Sequence, residues 1–353
     1  LISHTVPARV GILGNPSDGY RGRTLALAVP RFSATVNLEP APRLEIAAAA
    51  ADEPVWASVS ELMSRVDREG YGTGPQLLTA SIRTFANVAA TQVGKGLAKP
   101  GFPDETFRLT YGTTIPRQVG LAGSSALVVA ALRCLAHYTD IDIPDQVLPS
   151  IALAVETEQL GLTAGLQDRV VQTYGGLVAM DFGEMMTDAR FGVAHGDYQR
   201  VEPDHLPPLF LAYRTSAAEP SDQFHRVLRQ RFEAGDSTVR DVLHHLAGLA
   251  LEGQAALRWK DPARFASLMA ENMRLRRQLG TVPESQLELI DVADALDAPA
   301  TFAGSGGAVV GAYADDGHFE RLAGAMDAID ARMVRIGPGF ETEDDESQLD
   351  LGL

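Results

Sequence analysis

Lysine is nearly missing from this chain: of 30 basic residues only Lys95, Lys99 and Lys260 are lysines, and the other 27 are arginines. A cationic partner in any reaction is therefore expected to be a guanidinium, which holds two carboxylate or phosphate oxygens at once. Basic charge is short overall, with 46 acidic residues and a formal charge of -16. That balance disfavours nonspecific binding to nucleic acid or to an anionic membrane, so any anion site must be local. Cysteine occurs once, at Cys134. No disulfide can form within the chain, and the apolar setting predicts a buried structural thiol. A signal peptide and an apolar run of 18 residues are also missing, from which a cytoplasmic location is expected. No internal repeat is visible.

What is present is enough apolar residue for more than one core. The chain has 353 residues, 45% hydrophobic, with 33 glycines, and that length favours two lobes with a cleft between them. The division expected is 1–195, 196–340 and an acidic, disordered tail over 341–353, where Asp and Glu crowd. Apolar runs bounded by turn formers predict strands over 6–14, 24–30, 32–38, 107–115, 176–182, 209–213 and 333–336. A further strand, glycine turn and strand are predicted over 300–313. Helical spacing predicts helices over 76–93, 144–160, 261–279, 283–296 and 318–331, and two more within 221–260 broken at Gly235-Asp236. Residues 40–75 carry little pattern, and 183–200 reads as a polar connection.

Three stretches combine small residues with an adjoining strand or helix. In the central one, Pro116-Arg117-Gln118-Val119-Gly120-Leu121-Ala122-Gly123-Ser124-Ser125-Ala126 runs directly into the apolar segment that begins at Leu127. Unpaired N–H groups and the positive end of a helix dipole should face this loop, which makes it an anion site. The first stretch, Gly14 to Thr24, has Gly22-Arg23-Thr24 where a P-loop has Gly-Lys-Thr, yet Ser17 stands where that loop's first glycine belongs, and the P-loop reading is rejected. The third is Gly304-Ser305-Gly306-Gly307.

In this order, and with these flanks, the three stretches resemble the motifs of the GHMP kinases, named for galactokinase, homoserine kinase, mevalonate kinase and phosphomevalonate kinase. The central loop is similar to Pro-x-x-x-Gly-Leu-x-Ser-Ser-Ala with one residue extra. Arg9 to Tyr20, Ile115-Pro116-Arg117-Gln118, Gly165 to Val170 and Phe302 to Gly307 resemble the glucuronokinase branch of that family. The resemblance spans residues 6–337. It implies an α+β, two-lobed GHMP kinase fold: a ribosomal protein S5 domain 2-like N-terminal lobe and a ferredoxin-like C-terminal lobe. It also implies ATP-dependent phosphorylation of the anomeric hydroxyl of D-glucuronate, with ATP and Mg²⁺ as cofactors and no nucleic-acid or membrane partner. Galacturonate, a neutral hexose, a heptose or a cyclitol are alternative acceptors, and a nonenzymatic ATP and sugar sensor is the alternative outside catalysis. Oligomeric state is left open.

Residue by residue, the resemblance places ATP phosphates on Gly120, Leu121, Ala122, Gly123, Ser124 and Ser125, and on Gly304, Ser305, Gly306 and Gly307. Mg²⁺ is expected at Ser125 and at Glu156, twelve residues before the catalytic acid; Glu158 is the second choice. Asp168 is expected to accept the hydroxyl proton. Arg9 should hold Asp168 ionised. Asp18 is the expected sugar ligand with Asn15 and Ser17 beside it, and Arg169 is a candidate for the substrate carboxylate together with Arg23 and Arg117. Adenine contacts are expected from residues 35–100.

Overall fold

The structure, a computed structural model, describes residues 1–47, 55–72, 75–98, 101–214, 222–280, 284–304 and 306–340. Its first half is organised on one very long strand. β1 (Ile2–Leu13) runs antiparallel to β2 (Arg23–Pro40) along nearly its whole length. The other edge of β2 is shared: residues 34–40 pair with β5 (Phe107–Thr113) and residues 23–27 with β6 (Leu177–Thr187). β3 (Leu44–Ala47) and β4 (Val55–Trp56) extend one end of this seven-stranded sheet and β7 (Ala194–Val201) the other. The expected strands 24–30 and 32–38 are thus one strand. Its pairing register with β1 slips between Pro7 and Ala8, opposite the segment that holds Pro30; proline cannot donate to the ladder and is tolerated where the ladder breaks.

Burial along β2 shows what covers it. Residues 24–29 are buried without interruption, whereas residues 31–38 alternate, the contrast between a strand covered on both faces and one with a wet face. Ala26 and Ala28 pack with Val170 and Val171 of a helix on one side, and Leu25, Leu27 and Val29 join the main core on the other. The helices of this half are α1 (Val59–Glu69), α2 (Gln76–Gly94), α3 (Gly123–Thr139), α4 (Leu148–Ala154) and α5 (Leu166–Tyr174). The helix expected over 144–160 is regular only to Ala154; Val155–Gln159 is a π-turn, a local widening common at functional sites. Residues 183–200 are not a plain connection, since β6 runs to Thr187 and β7 begins at Ala194. Cys134 on α3 is fully buried, donates to the Val36 carbonyl at 3.2 Å and is pushed up to about 12 by burial, as a structural thiol should be.

The second half is built on β8 (Leu209–Tyr213), α6 (Asp222–Glu233), α7 (Ser237–Arg258), α8 (Pro262–Arg276), α9 (Glu284–Ala295), β9 (Ala300–Phe302), β10 (Ala308–Ala312), α10 (Asp316–Asp327) and β11 (Arg332–Ile336). Its four strands lie in the order β11-β8-β10-β9, all antiparallel, the arrangement of a ferredoxin-like sheet. Period-two alternation divides the two faces. Phe210, Ala212 and Val309 meet residues of α9 and α10, while Leu209, Leu211 and Val310 join the core that also contains β1 and β2. α7 lies on the large sheet so closely that a side chain on Gly253 would run into Leu13. One apolar core therefore crosses from half to half.

Candidate active site

Arg9, buried in β1, gathers the site. Its Nε donates to Asp168 Oδ1 at 2.6 Å, and its Nη1 donates to the carbonyls of Gly120 at 2.8 Å and Ala303 at 3.0 Å. One guanidinium thus joins the first turn of α5, the central glycine loop and the third glycine loop, three segments distant in sequence. The backbone of Gly11 repeats the tie, donating to Ala303 at 2.7 Å. Asp168 sits in the first turn of α5, where the helix dipole favours a negative charge.

The central loop reaches α3 through backbone that side chains resist. Gln118 and Ala122 have φ of 60° and 63°, and Gly120 has 79°. Non-glycine residues held in this region mark sites where geometry is over-determined by the surroundings. Ala122 is the N-cap of α3 and has no side chain to cap with. Its carbonyl accepts from Gln172 Nε2 at 2.7 Å and from Ser125 Oγ at 3.1 Å, which pins the turn from behind. The first N–H groups of α3 are left without a side-chain cap, and Gly123 and Ser124 line the cavity, as an anion cradle requires. The third loop closes on this turn. A Cβ on Gly120 would strike the Gly306 carbonyl, one on Gly304 would strike the Gly120 carbonyl, and one on Gly307 would press on Val119. Gly304 borders the cavity, Gly306 and Gly307 stand behind it as packing, and Ser305 lies outside the described residues.

The two serines are placed differently from expectation. Ser124 Oγ donates to Glu156 Oε1 at 2.9 Å, and both residues line the cavity. Ser125 is buried at 1% exposure, with its hydroxyl turned to Ala122. It does not meet Glu156. The extra residue of the loop accounts for the shift, since moving one position along a helix turns the side chain by about 100°. Glu156 rides on the π-turn, and its second oxygen accepts from Arg169 Nη2. Glu158, on the same turn, faces a separate, smaller pocket.

Arg169 spends both terminal nitrogens internally, while its Nε is buried without a partner. Besides Glu156 it donates from Nη1 to the Gly165 carbonyl at 2.6 Å and lies 3.8 Å from Asp168 Oδ2. Burial and the neighbouring Arg9 push it down to about 9, which leaves it charged at neutral pH. Arg23 pairs with Asp181 at 2.6 Å and is not in the cavity wall. Ser17 is also a correction: it is buried, donates to the Arg23 carbonyl at 2.9 Å and holds the Ser17–Tyr20 turn without reaching the cavity.

Asp18 does reach it. A Cβ on Gly165 would stand 2.8 Å from Asp18 Oδ2, so the carboxylate rests against bare backbone at the entry to α5. Burial raises its pKa to about 6, with Asp168 adding repulsion and Arg9 opposing it. Asn15 lines the same wall; its side chain lies over Gly11, and Oδ1 is buried with no partner. Gln167 Oε1 is a second buried acceptor left without a partner at this wall. Buried polar atoms of this kind call for a ligand or an ordered water.

Sequence reasoning missed the contribution of the second half. Arg276, at the end of α8, is 3% exposed, lines the cavity, donates to the Gly304 carbonyl at 2.9 Å and packs its guanidinium over the Phe302 ring. Asn272, one turn earlier, accepts from the Gly14 N–H at 2.9 Å and donates to Thr301 at 3.0 Å. The signal was readable: Asn272 and Arg276 interrupt the apolar stripe of Phe265, Leu268 and Met269 at helical spacing. Together these walls enclose about 590 Å³, the size of a small-molecule site. Leu77, Tyr111 and Leu127 add apolar lining; of these only Leu77 falls within the stretch expected to contact adenine.

Comparison with known proteins places this geometry in a family. Residues 80–176 match the GHMP kinases N terminal domain, and residues 254–329 match the GHMP kinases C terminal domain. The chain belongs to the GHMP kinases. It is 40% identical over 317 residues to Glucuronokinase 1 of Arabidopsis thaliana, covering 88% of this chain and 84% of that protein. Among solved structures, a protein from Listeria innocua superposes with a TM-score of 0.77 at 16% identity, covering 95% of this chain and 97% of the other. Phosphomevalonate kinase of Streptococcus pneumoniae, solved with phosphomevalonate and AMPPNP, superposes at 0.73 with 15% identity, covering 95% and 100%. At such identities these structures speak to the fold, and they agree with the two-lobed α+β arrangement.

Proposed function

We propose that the protein is an ATP-dependent sugar kinase that phosphorylates the anomeric hydroxyl of D-glucuronate. The observation that carries this reading is Arg9, which binds a carboxylate fit to receive a proton to the two glycine loops fit to hold phosphates. The 40% identity to a glucuronokinase supports the acceptor.

The donor set at α3 fits Mg²⁺. A hydroxyl and a carboxylate, Ser124 and Glu156, stand 2.9 Å apart beside a helix N-terminus, and Mg²⁺ on a nucleotide needs few protein oxygens. Among the described residues no group of three or more His, Cys, Asp or Glu gathers as a metal cage. We therefore place the metal on Ser124 and Glu156 in place of Ser125 and Glu156. When bound, Mg²⁺ neutralises charge on the β- and γ-phosphates.

The chain's own residues do the rest. N–H groups of Gly123 and Ser124 and the α3 dipole hold phosphate oxygens, and Gly304 limits the cradle on the far side. The apolar lining at Leu77 and Tyr111 receives the base. Asp18, Asn15 and Gln167 accept hydrogen bonds from sugar hydroxyls. Asp168 Oδ2 takes the proton of the attacking hydroxyl as the new P–O bond forms and the bond to the leaving β-phosphate oxygen breaks. Arg9 holds Asp168 in place through the 2.6 Å contact of its Nε. In this reading residues 1–195 supply the phosphate loop at α3, Asp168 and most of the acceptor wall, residues 196–340 add Gly304 and Arg276, and the enzyme works in the cytoplasm. Among the described residues no helix is long and apolar enough to cross a membrane.

The test is ATP turnover against a panel of neutral sugars and uronic acids, with ³¹P and ¹H NMR of the product. Glucuronate 1-phosphate is the expected product. A phosphate on another carbon, or turnover with neutral hexoses alone, would overturn the acceptor assignment.

A further inference from the structure

Arg276 is a buried cation that makes no ion pair among the described residues. The cavity wall holds three buried arginines: Arg9 pairs with Asp168, Arg169 with Glu156. Among the described residues Arg276 has no carboxylate within 4.0 Å, and its visible hydrogen bonds run to the carbonyls of Gly304 at 2.9 Å and Phe302 at 3.3 Å. Carbonyl dipoles orient a guanidinium without neutralising it, and an uncompensated buried charge is costly. Arg117 and Arg229 also border the cavity but are solvent-exposed, where water screens them.

The guanidinium is also rigid. It stacks 5.3 Å from the Phe302 ring centre and is held at the end of α8 by the third loop. A planar fork fixed in this way suits a planar, two-oxygen anion. Asn272, one turn before Arg276 on α8, accepts from the Gly14 N–H at 2.9 Å, next to Asn15 of the proposed sugar wall, so this end of α8 is tied to that wall.

We propose that Arg276 receives the carboxylate of a sugar acid and is the residue that selects uronic acids over neutral sugars. This rests on the cavity being a sugar kinase site and names, for that site, the contact that sets acceptor class. It replaces Arg169 in that role, since the charge of Arg169 is already paired with Glu156 and both its terminal nitrogens are taken by Glu156 and Gly165.

The experiment compares the full chain with its Arg276→Gln and Arg276→Lys variants, using glucuronate and glucose, which differ by carboxylate against hydroxymethyl. Binding of each sugar is measured by calorimetry, turnover by ATP consumption, and AMPPNP binding checks that the donor end is intact. The expected result is a loss of about 100-fold in glucuronate affinity for Arg276→Gln, little change for glucose, unchanged AMPPNP binding and partial recovery in Arg276→Lys. Equal losses of turnover with both sugars would assign Arg276 to the transferred phosphoryl group and overturn the proposal. Failure of the wild type to bind glucuronate more tightly than glucose would also overturn it. Wild-type glucuronate binding that depends on Arg276 but leads to no ATP turnover would refute the kinase reading alone and leave this contact standing. If Arg276→Gln loses AMPPNP binding as well, the wild-type preference and Arg276→Lys decide: retained preference in Arg276→Lys supports the proposal, and its loss with AMPPNP binding intact refutes it.

Discussion

The two ends of the cavity are made by different means. The end proposed for the phosphate donor is mostly backbone: positive-φ turns at Gln118, Gly120 and Ala122, an uncapped helix, and a second glycine loop pressed against the first. The end proposed for the acceptor is made of side chains, Asp18 from a turn after β1, Gln167 from α5 and Arg276 from α8. Backbone chemistry cannot change with sequence, so a phosphate cradle tolerates few residues and repeats as a motif. Side chains can be exchanged singly, so the end that reads the sugar can vary without disturbing the end that holds ATP. Arg9 is the hinge of this contrast, since it touches both.

The largest effect should fall where the two ends meet. Asp168→Asn keeps the shape and the first-turn position but cannot take a proton. Turnover is expected to fall by about 10²- to 10⁴-fold, with AMPPNP affinity within a factor of about two. Near-normal kcat in this variant would reduce Asp168 to an orienting group. Gly120→Ala strikes the donor end alone. Its φ of 79° and the Gly306 carbonyl behind it leave no space for a methyl, and a destabilisation of about 1–3 kcal/mol is expected. Thermal unfolding and nucleotide KM would both register it, and a variant with unchanged Tm would show that the loops are not in contact.

A finer cut separates the adjacent serines. Ser124→Ala removes the hydroxyl beside Glu156, and the Mg²⁺ concentration for half-activity should rise by about tenfold. Ser125→Ala removes only the bond to Ala122, so it should cost about 1 kcal/mol of stability and leave the Mg²⁺ titration alone. The opposite pattern would restore the assignment to Ser125 and show that the 2.9 Å contact of Ser124 is incidental.

Legibility in the sequence follows the same division. The loop at Gly120 could be read because glycine and serine before an apolar helix have a direct backbone meaning, and Asp168 because it stands in a motif. The strands of the second half could be read from runs such as Leu209–Tyr213 and the strand pair about Gly304, while their ferredoxin-like arrangement followed from the family resemblance. What could not be read was long-range. The slip that makes 23–40 one strand depends on what pairs with Pro7. The choice between Ser124 and Ser125 depends on where α3 begins, to one residue. Arg169, a tempting carboxylate ligand by position, is spent on Glu156, a partner thirteen residues back in sequence. Arg276 stood outside every motif, visible only as a polar break in the apolar face of α8.

The smallest effect tests whether the acceptor end carries a charge that the fold resists. Asp18 has a pKa of about 6 in the folded protein against roughly 3.9 for an exposed aspartate. Between these values the native state binds more protons than the unfolded chain, so stability falls as pH rises through the window from about 4 to about 6 and the penalty persists above it. Asp18→Asn should therefore raise Tm at pH 7 and leave it nearly unchanged at pH 4. Activity should move the other way. A carboxylate that accepts from sugar hydroxyls must be ionised, and at saturating nucleotide kcat/KM for the sugar should drop below about pH 6, approaching tenfold per pH unit. Asp18→Asn should lose that drop while working poorly at every pH. A wild-type profile flat down to pH 5 would mean that bound sugar restores ordinary acidity to Asp18, and the penalty seen in stability would then belong to the free enzyme alone.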